Sequence, residues 1–309
     1  MSDDNFLKGE GDRFLISNIR QGDDDSFRQL VDRFSGRLQI YAARRLRGSG
    51  IDAEDAVQET FLGLLQSLER TGRVRSLQAY LFQILRNKIA DLTQKRPEAH
   101  GMRRVPLISE DAQGDLKGYD PVAPDKTPST YARRKERVEA RSEVLTEVLD
   151  EVLDEMKKER RFRDLKVLQL LFYSSWRNRK IAKAVGTSEP TVTRIKTGTL
   201  EKLARLVRRH PKFGSVESFL DTDDDPSDLI RDTWKTNLLS CLKRSTLGSF
   251  ALNTLDGEWY DYVSFHLDTV GCEMCAANVE DLRAQDPTEA SELRERIFSS
   301  SIGFLKKPD

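Results

Sequence analysis

The spacing of apolar residues constrains the fold of this chain more than any other feature of its sequence. Apolar side chains recur at steps of three and four residues along three long blocks, whereas the alternating pattern of β-strands is scarce. The apolar series from Val138 to Met156 is one example, and charges cover the other face of that stretch. Charged residues make up 33% of the chain, which favours helices with wide solvated faces over one large core. We therefore predict an all-α fold.

Two stretches interrupt this periodicity and divide the chain. Half of the ten prolines fall within residues 97–131, which predicts a flexible linker. Closely spaced aspartates over residues 211–228 predict a second, acidic linker. Three helical domains remain, at residues 12–96, 132–210 and 229–309.

Composition excludes several classes of protein. The formal net charge is zero, with 51 basic and 51 acidic residues, so a uniformly basic nucleic-acid binder is excluded while segregated charge is not. No apolar run is long enough to cross a membrane, and the polar N-terminus does not resemble a secretion signal. Three cysteines, an odd number, favour a reducing cytoplasm over a disulfide scaffold. No nucleotide-binding or hydrolase motif is present, so we predict that the protein is not an enzyme.

One helix of the first domain carries an acidic face. If residues 51–68 are helical with Asp52 as N-cap, apolar residues from Ala53 to Leu68 line one side. The opposite side carries three carboxylates and an outward leucine: Asp52, Asp55, Glu59 and Leu62. This pattern fits a docking strip for a basic partner helix. The alternative interpretation is a solvated face that happens to carry one leucine.

The next loop and helix carry a basic bias. Seven basic residues and one acidic residue, Asp91, lie between Arg70 and Arg96. Amides, arginines and lysines can contact bases and phosphates. The pattern predicts a nucleic-acid surface, and a solvated basic helix is the alternative.

These two segments, Asp52–Phe61 and Ala79–Leu92, resemble region 2 of bacterial RNA polymerase sigma factors. The layout resembles the extracytoplasmic-function (ECF) group. The resemblance implies that the acidic helix docks on the clamp helices of the polymerase's largest subunit. It assigns docking to Asp52, Asp55, Gln58 and Glu59, beside the outward Leu62. It assigns opening and reading of the minus-ten promoter element to Arg73, Arg75, Gln83, Arg86, Asn87 and Lys88.

The second domain contains the pattern of a helix-turn-helix. Ile181 and Ala182 suit the inner face of a short helix, Gly186 suits a left-handed turn, and Ser188 suits the N-cap of a second helix. The second helix would enter the major groove of DNA. Base and backbone contacts are predicted for Thr191, Thr193, Arg194 and Lys196, and phosphate contacts for Arg177, Arg179, Lys180 and Lys183. The alternative is a helical hairpin used only for protein contacts.

This block resembles region 4 of sigma factors, which reads the minus-thirty-five promoter element. Residues Phe162 to Tyr173 would form its supporting helix. The segment from Pro190 to Arg194 departs from many relatives, so the resemblance transfers no promoter preference.

The third domain holds every cysteine of the chain. Cys241, His266, Cys272 and Cys275 form a Cys-x24-His-x5-Cys-x2-Cys pattern, and three thiolates with one imidazole are a common zinc set. The block resembles zinc-binding anti-sigma domains, although its His–Cys spacing is longer by two residues. The alternative is three reduced, buried cysteines and a hydrogen-bonded core histidine. As a hypothesis, this domain folds onto one of the others and holds the protein inactive, or else recruits another protein.

The sequence therefore predicts a cytoplasmic transcription initiation factor. Its expected partners are core RNA polymerase, promoter DNA and an anti-sigma or other regulatory protein, with no membrane and with zinc as the expected cofactor. The alternative is a stand-alone helix-turn-helix regulator that senses zinc or redox state, and a zinc-dependent adaptor is a third interpretation. The acidic helix favours the transcription initiation factor over the stand-alone regulator, because a simple regulator does not need an acidic docking face.

Overall fold

A computed structural model describes residues 10–68, 76–95, 108–110, 116–118, 128–211, 226–284 and 287–305. Helices account for nearly all of the secondary structure in these ranges, which confirms the all-α prediction. None of the helices in the described ranges has the length and hydrophobicity that a membrane crossing requires.

The first helical group consists of α1 (Glu10–Arg20), α2 (Asp24–Arg45), α3 (Ala53–Ser67) and α4 (Leu77–Lys95). The predicted cap of α3 is present, since Asp52 accepts a hydrogen bond from the Glu54 backbone at 2.9 Å. The long helix α2 buries residues at three- and four-residue steps, and Phe27 meets Phe61 of α3 edge-to-face at 6.3 Å. The three longer helices thus share one apolar core.

A short antiparallel hairpin lies within the predicted linker. It pairs β1 (Ile108–Glu110) with β2 (Leu116–Gly118), with Ser109 opposite Lys117. The next helix also begins inside the predicted linker, at Pro128.

The second helical group consists of α5 (Pro128–Lys158), α6 (Phe162–Leu168), a π-helical turn (Gln169–Tyr173), α7 (Asn178–Val185) and α8 (Glu189–Arg209). The stretch predicted as one supporting helix is therefore interrupted, because α6 ends at Leu168 and the π turn follows. Ile181 and Val192 are both fully buried where α7 crosses α8.

The third helical group consists of α9 (Pro226–Thr236), α10 (Arg244–Ala251), α11 (Gly257–Ser264), a π-helical turn (Phe265–Thr269), α12 (Glu273–Arg283) and α13 (Pro287–Ser301). It touches both other groups. Trp234 of α9 stacks against Phe172 of the second group at 5.7 Å, whereas α12 and α13 pack along α2 of the first group. The third group therefore joins the first and second groups into one packed unit.

Candidate nucleic-acid interface and metal centre

The predicted acidic strip forms on the outer side of α3. Asp52, Asp55 and Glu59 are exposed, while Gln58 and Leu62 are half-buried. Glu59 forms an ion pair of 2.9 Å with Lys88 of α4. One residue predicted to dock on polymerase thus touches one predicted to contact DNA, so the two faces meet at this edge.

Another carboxylate of α3, that of Glu54, pairs with the third helical group and not with α4. Glu54 receives two hydrogen bonds of 2.9 Å from Arg296 of α13, through Nε and Nη2. The hydrogen bonds from Arg296 lower the pKa of Glu54, which stays ionised as a result. Sequence reasoning missed this contact because nothing local to either residue signals it. It brings α13 against the first turn of the helix that carries the acidic strip.

The predicted promoter-reading residues of α4 share its outer surface. Asn87 is exposed, and Gln83, Arg86 and Lys88 are half-buried. Arg73 and Arg75 lie outside the described residues. Lys88 is paired with Glu59, and the contact of these four residues with DNA stays a prediction.

The helix-turn-helix geometry follows the local signals in the sequence. Gly186 ends α7 in the left-handed region at φ 69°, and Ser188 caps α8 by accepting from the Thr191 backbone at 3.4 Å. Asn178 of α7 donates to the Thr193 hydroxyl at 3.1 Å, which ties the start of one helix to the other. The turn is therefore fixed by its own residues.

The outer surface of this motif is basic and open. Lys183, Thr193 and Arg194 are exposed, as are Arg177, Arg179 and Lys180. Thr191 and Lys196 are half-buried. Lys180 lies 3.4 Å from the ring centroid of Trp176, a cation–π contact that holds the ammonium near the motif. All eight predicted residues lie on α7, α8 or the turn that leads into α7, so they can meet one DNA surface.

The predicted metal-binding residues converge. The ligand atoms of Cys241, His266, Cys272 and Cys275 all lie within 4.8 Å of one another. The Cys241 and Cys272 sulfurs are 3.6 Å apart, and His266 Nε2 lies 3.3 Å from the Cys275 sulfur. Metal–sulfur bonds of ~2.3 Å in a tetrahedral site would separate two sulfurs by ~3.8 Å. The donor set and spacing therefore suit a single tetrahedral metal ion such as zinc.

The longer His–Cys spacing is absorbed by the backbone. His266 lies in the π turn, and Gly271 adopts a left-handed φ of 69° directly before Cys272. The Cys272 backbone N–H then returns to the His266 carbonyl at 3.3 Å. Cys272 stands at the N-cap position of α12 and Cys275 lies in the first turn, so the positive end of the helix faces the cluster.

Charge in the cluster is shared between its members. Hydrogen bonds from Cys241 and Cys275 lower the pKa of Cys272 well below the usual thiol range. Burial disfavours the imidazolium of His266, but the neighbouring cysteine sulfurs outweigh burial and raise the pKa of His266 to about 10. A divalent cation would replace the protons held by these groups, since metal ligands must be deprotonated.

The helix that carries Cys275, α12, also docks on the first group. Arg37 of α2 is 2% exposed and donates to Asn278 of α12 at 3.1 Å and to Gln78 of α4 at 2.8 Å. Burial, with repulsion from Arg244, lowers the pKa of Arg37 to about 9. Arg244 is held by Asp281 at 2.5 Å. Two arginines thus converge on one side of α12, and no pattern among their sequence neighbours indicates this arrangement.

Comparison with known proteins identifies the class of the first helical group. Residues 30–97 match the family model described as Sigma-70 region 2. This range spans most of α2, all of α3 and α4, and the acidic strip. Residues 30–97 are therefore similar to sigma-70 region 2, in agreement with the resemblance of the two sequence segments.

Two curated relatives carry the identification further. The chain is 35% identical over 89 residues to RNA polymerase sigma factor NccH of Alcaligenes xylosoxydans xylosoxydans, covering 29% of this chain and 47% of that protein. It is 33% identical over 119 residues to RNA polymerase sigma factor CnrH of Cupriavidus metallidurans, covering 38% of this chain and 58% of that protein. The chain thus spans about half the length of the curated relatives it matches. No solved structure matches. These matches confirm the predicted resemblance to ECF-type sigma factors, and the anti-sigma resemblance of the third group stays a prediction.

Proposed function

We propose that this protein is a sigma factor that binds core RNA polymerase, directs it to specific promoters and starts transcription there. The observation that carries the proposal is the region 2 match, which spans both the acidic helix α3 and the helix α4. The polymerase supplies the catalysis, so the factor needs no active site. Such a factor acts in the cytoplasm, where the polymerase meets DNA.

In this proposal α3 docks on the clamp helices of the largest polymerase subunit. Asp52, Asp55 and Glu59 provide the charge, and Gln58 and Leu62 provide the remaining contact area. Their exposure on one side of α3 supports this role. The neighbouring α4, with Gln83, Arg86, Asn87 and Lys88, then meets the minus-ten element on its outer surface.

The helix-turn-helix reads the minus-thirty-five element. The first turn of α8, with Thr191 and Arg194, would lie at the base edges, and the basic residues of α7 would hold phosphates. The open, basic surface of the motif supports this role. A stand-alone helix-turn-helix regulator has no use for the acidic strip of α3, and the region 2 match does not favour it.

The third helical group regulates the factor from within the same chain. In α13, Arg296 forms an ion pair with Glu54 beside the acidic strip, and Glu295 pairs with Arg28 of α2 at 2.6 Å. The group also pairs with the second helical group, where Arg160 meets Asp256 and Glu258 at 2.8 and 3.0 Å. These contacts support a closed, inactive form that opens when polymerase binds, rather than a group that only recruits another regulatory protein.

Zinc is the cofactor that suits the third group best. Three cysteines and one histidine in a buried, compact set match the soft donors that zinc prefers. The metal would hold the start of α12 against the rest of the group.

Gel filtration with purified core RNA polymerase tests this function. The full chain and an Arg296→Ala variant, which frees Glu54, are run with and without Asp55→Arg. Asp91→Arg on α4 is the matched charge reversal, since Asp91 is exposed outside the acidic strip. We expect co-elution in at least the Arg296→Ala background, lost with Asp55→Arg and kept with Asp91→Arg. Absence of co-elution in both backgrounds, or co-elution that Asp55→Arg leaves intact, would contradict the proposal.

A further inference from the structure

A buried polar side chain of the second helical group reaches the cysteine–histidine cluster of the third. Gln169 lies in the π turn that follows α6, and it is 1% exposed. Its Oε1 lies 3.2 Å from His266 Nδ1, and its Nε2 donates to the Tyr262 hydroxyl at 2.5 Å. Both partners belong to the third group, so Gln169 crosses the boundary between the two.

The chemistry of these contacts fixes the orientation of the imidazole. Because the Gln169 amide nitrogen donates to Tyr262, its carbonyl oxygen is left to accept a hydrogen bond from the N–H of His266 Nδ1. When a metal displaces the second ring proton, Nε2 becomes the lone-pair nitrogen, and Nε2 faces the Cys275 sulfur at 3.3 Å. A histidine that binds a metal usually donates its other ring N–H to such an outer partner, which raises its basicity and holds its ring.

The position of Gln169 in its own element has no other explanation. It interrupts the apolar stretch Val167–Phe172, in which its neighbours Leu168 and Leu170 are fully buried. A buried carboxamide is unfavourable unless it is hydrogen-bonded. The π turn therefore presents a polar group to the cluster at Gln169.

We propose that Gln169 is a positioning residue for the metal site, supplied by the helix-turn-helix group to a metal held by the third group. The inference rests on the metal binding proposed above. The metal site is then complete only while the two groups are docked. By linkage, metal binding favours the docked form by the same factor by which docking tightens metal binding. Metal loading and release of the helix-turn-helix group thus oppose each other.

The test is zinc affinity of the full chain, measured by competition with a chromophoric chelator. Gln169→Met keeps the volume and removes both polar atoms, whereas Gln169→Glu keeps an acceptor for His266 Nδ1. Gln21→Met, at the exposed end of α1, is the matched control. We expect Gln169→Met to weaken zinc binding by about 10- to 100-fold, with Gln169→Glu and Gln21→Met within about threefold of the parent.

A second variant protects the test against misfolding. Tyr262→Phe keeps the aromatic packing against Phe162, at 5.1 Å, and removes only the hydroxyl that orients the Gln169 amide. We expect a severalfold loss of zinc affinity from this change. Zinc affinity unchanged in both Gln169→Met and Tyr262→Phe would overturn the inference.

The failure of this inference is distinguishable from failure of the metal proposal. Cys275→Ser removes a ligand and should abolish tight zinc binding. If Cys275→Ser does so while Gln169→Met does not, the metal site stands and the role of Gln169 is refuted. If the parent protein itself binds no zinc, both proposals fall.

Discussion

Gly36 lies within α2 at the point where the third helical group docks, and replacing it gives a sharp test of that docking. A β-carbon built at Gly36 would lie 2.0 Å from Oδ1 of Asp281 and 3.2 Å from its carboxyl carbon. The carboxylate must therefore move by more than 1 Å, because a carbon–oxygen contact needs more than 3 Å. Asp281 is not free to move without loss, since it holds Arg244 at 2.5 Å.

The expected magnitude depends on which of two effects acts on docking. Alanine is better than glycine inside a helix by about 1 kcal/mol, but α2 is helical in the docked and undocked forms alike, so this gain does not change the docking equilibrium. Disturbing a charge-assisted hydrogen bond and crowding a packed joint cost about 2–3 kcal/mol together. The docking equilibrium constant should therefore fall by about 30- to 160-fold.

Hydrogen exchange of the full chain measures this effect. Peptides that cover α12 should exchange about 30- to 160-fold faster in Gly36→Ala, because undocking exposes that helix. Gly198→Ala in α8 is the matched control, since nothing lies within 4 Å of its β-carbon. That variant should leave α12 unchanged.

A double variant tests whether the steric contact between the new β-carbon at position 36 and Asp281 causes the loss of docking. Asp281→Ala removes the group that Gly36→Ala strikes, so the second change should no longer weaken docking in that background and should gain about 1 kcal/mol of helix stability. If Gly36→Ala alone leaves the exchange of α12 as slow as in the parent, the close approach of Asp281 to α2 does not hold the groups together, and the reasoning fails.

Two further predictions concern DNA binding and pH. Arg194→Ala should weaken binding to a random-sequence duplex by about 5- to 30-fold and lower the salt dependence by about one phosphate contact in fluorescence anisotropy, whereas Arg47→Ala on the first group should change neither. The Arg296 contact lowers the pKa of Glu54, so its stabilisation is present above the ordinary glutamate pKa of 4.5 and is lost as pH falls through the lowered value. Urea midpoints of the parent and Glu54→Gln should therefore differ at pH 7 and converge toward pH 4. A gap that stays constant over that range would contradict this role for Glu54.

The parts of the structure that were predictable are those set by neighbouring residues. Asp52 and Ser188 cap their helices, and Gly186 takes the left-handed turn, because each depends on only a few residues around it. The metal set was predictable for another reason. All three cysteines fall in one block, so few alternative ligand sets exist.

The docking of the third group was not predictable in the same way. The Glu54–Arg296 and Arg28–Glu295 pairs join residues more than 200 positions apart, and either arginine could have been an ordinary solvated side chain. The π turn after α6 was also missed. Its apolar spacing is compatible with a continuous helix, and the contact of Gln169 with His266 joins residues 97 positions apart.

Three residues that are unfavourable in their own helices all contact the third helical group. Gly36 weakens the middle of α2, Arg37 places a charge among apolar neighbours, and Gln169 interrupts the apolar stretch of the second group. Each misfit is resolved by a residue of the third group: Asp281 fills the space over Gly36, Asn278 accepts from Arg37, and His266 meets Gln169. Local choices that disfavour an isolated element are expected where a sequence is adapted to a larger arrangement. Because these three lie in two different groups and converge on the same partner, the sequence as a whole favours the packed arrangement over three independent domains. Opening it would remove the Asn278 contact of Arg37 and the His266 contact of Gln169 together.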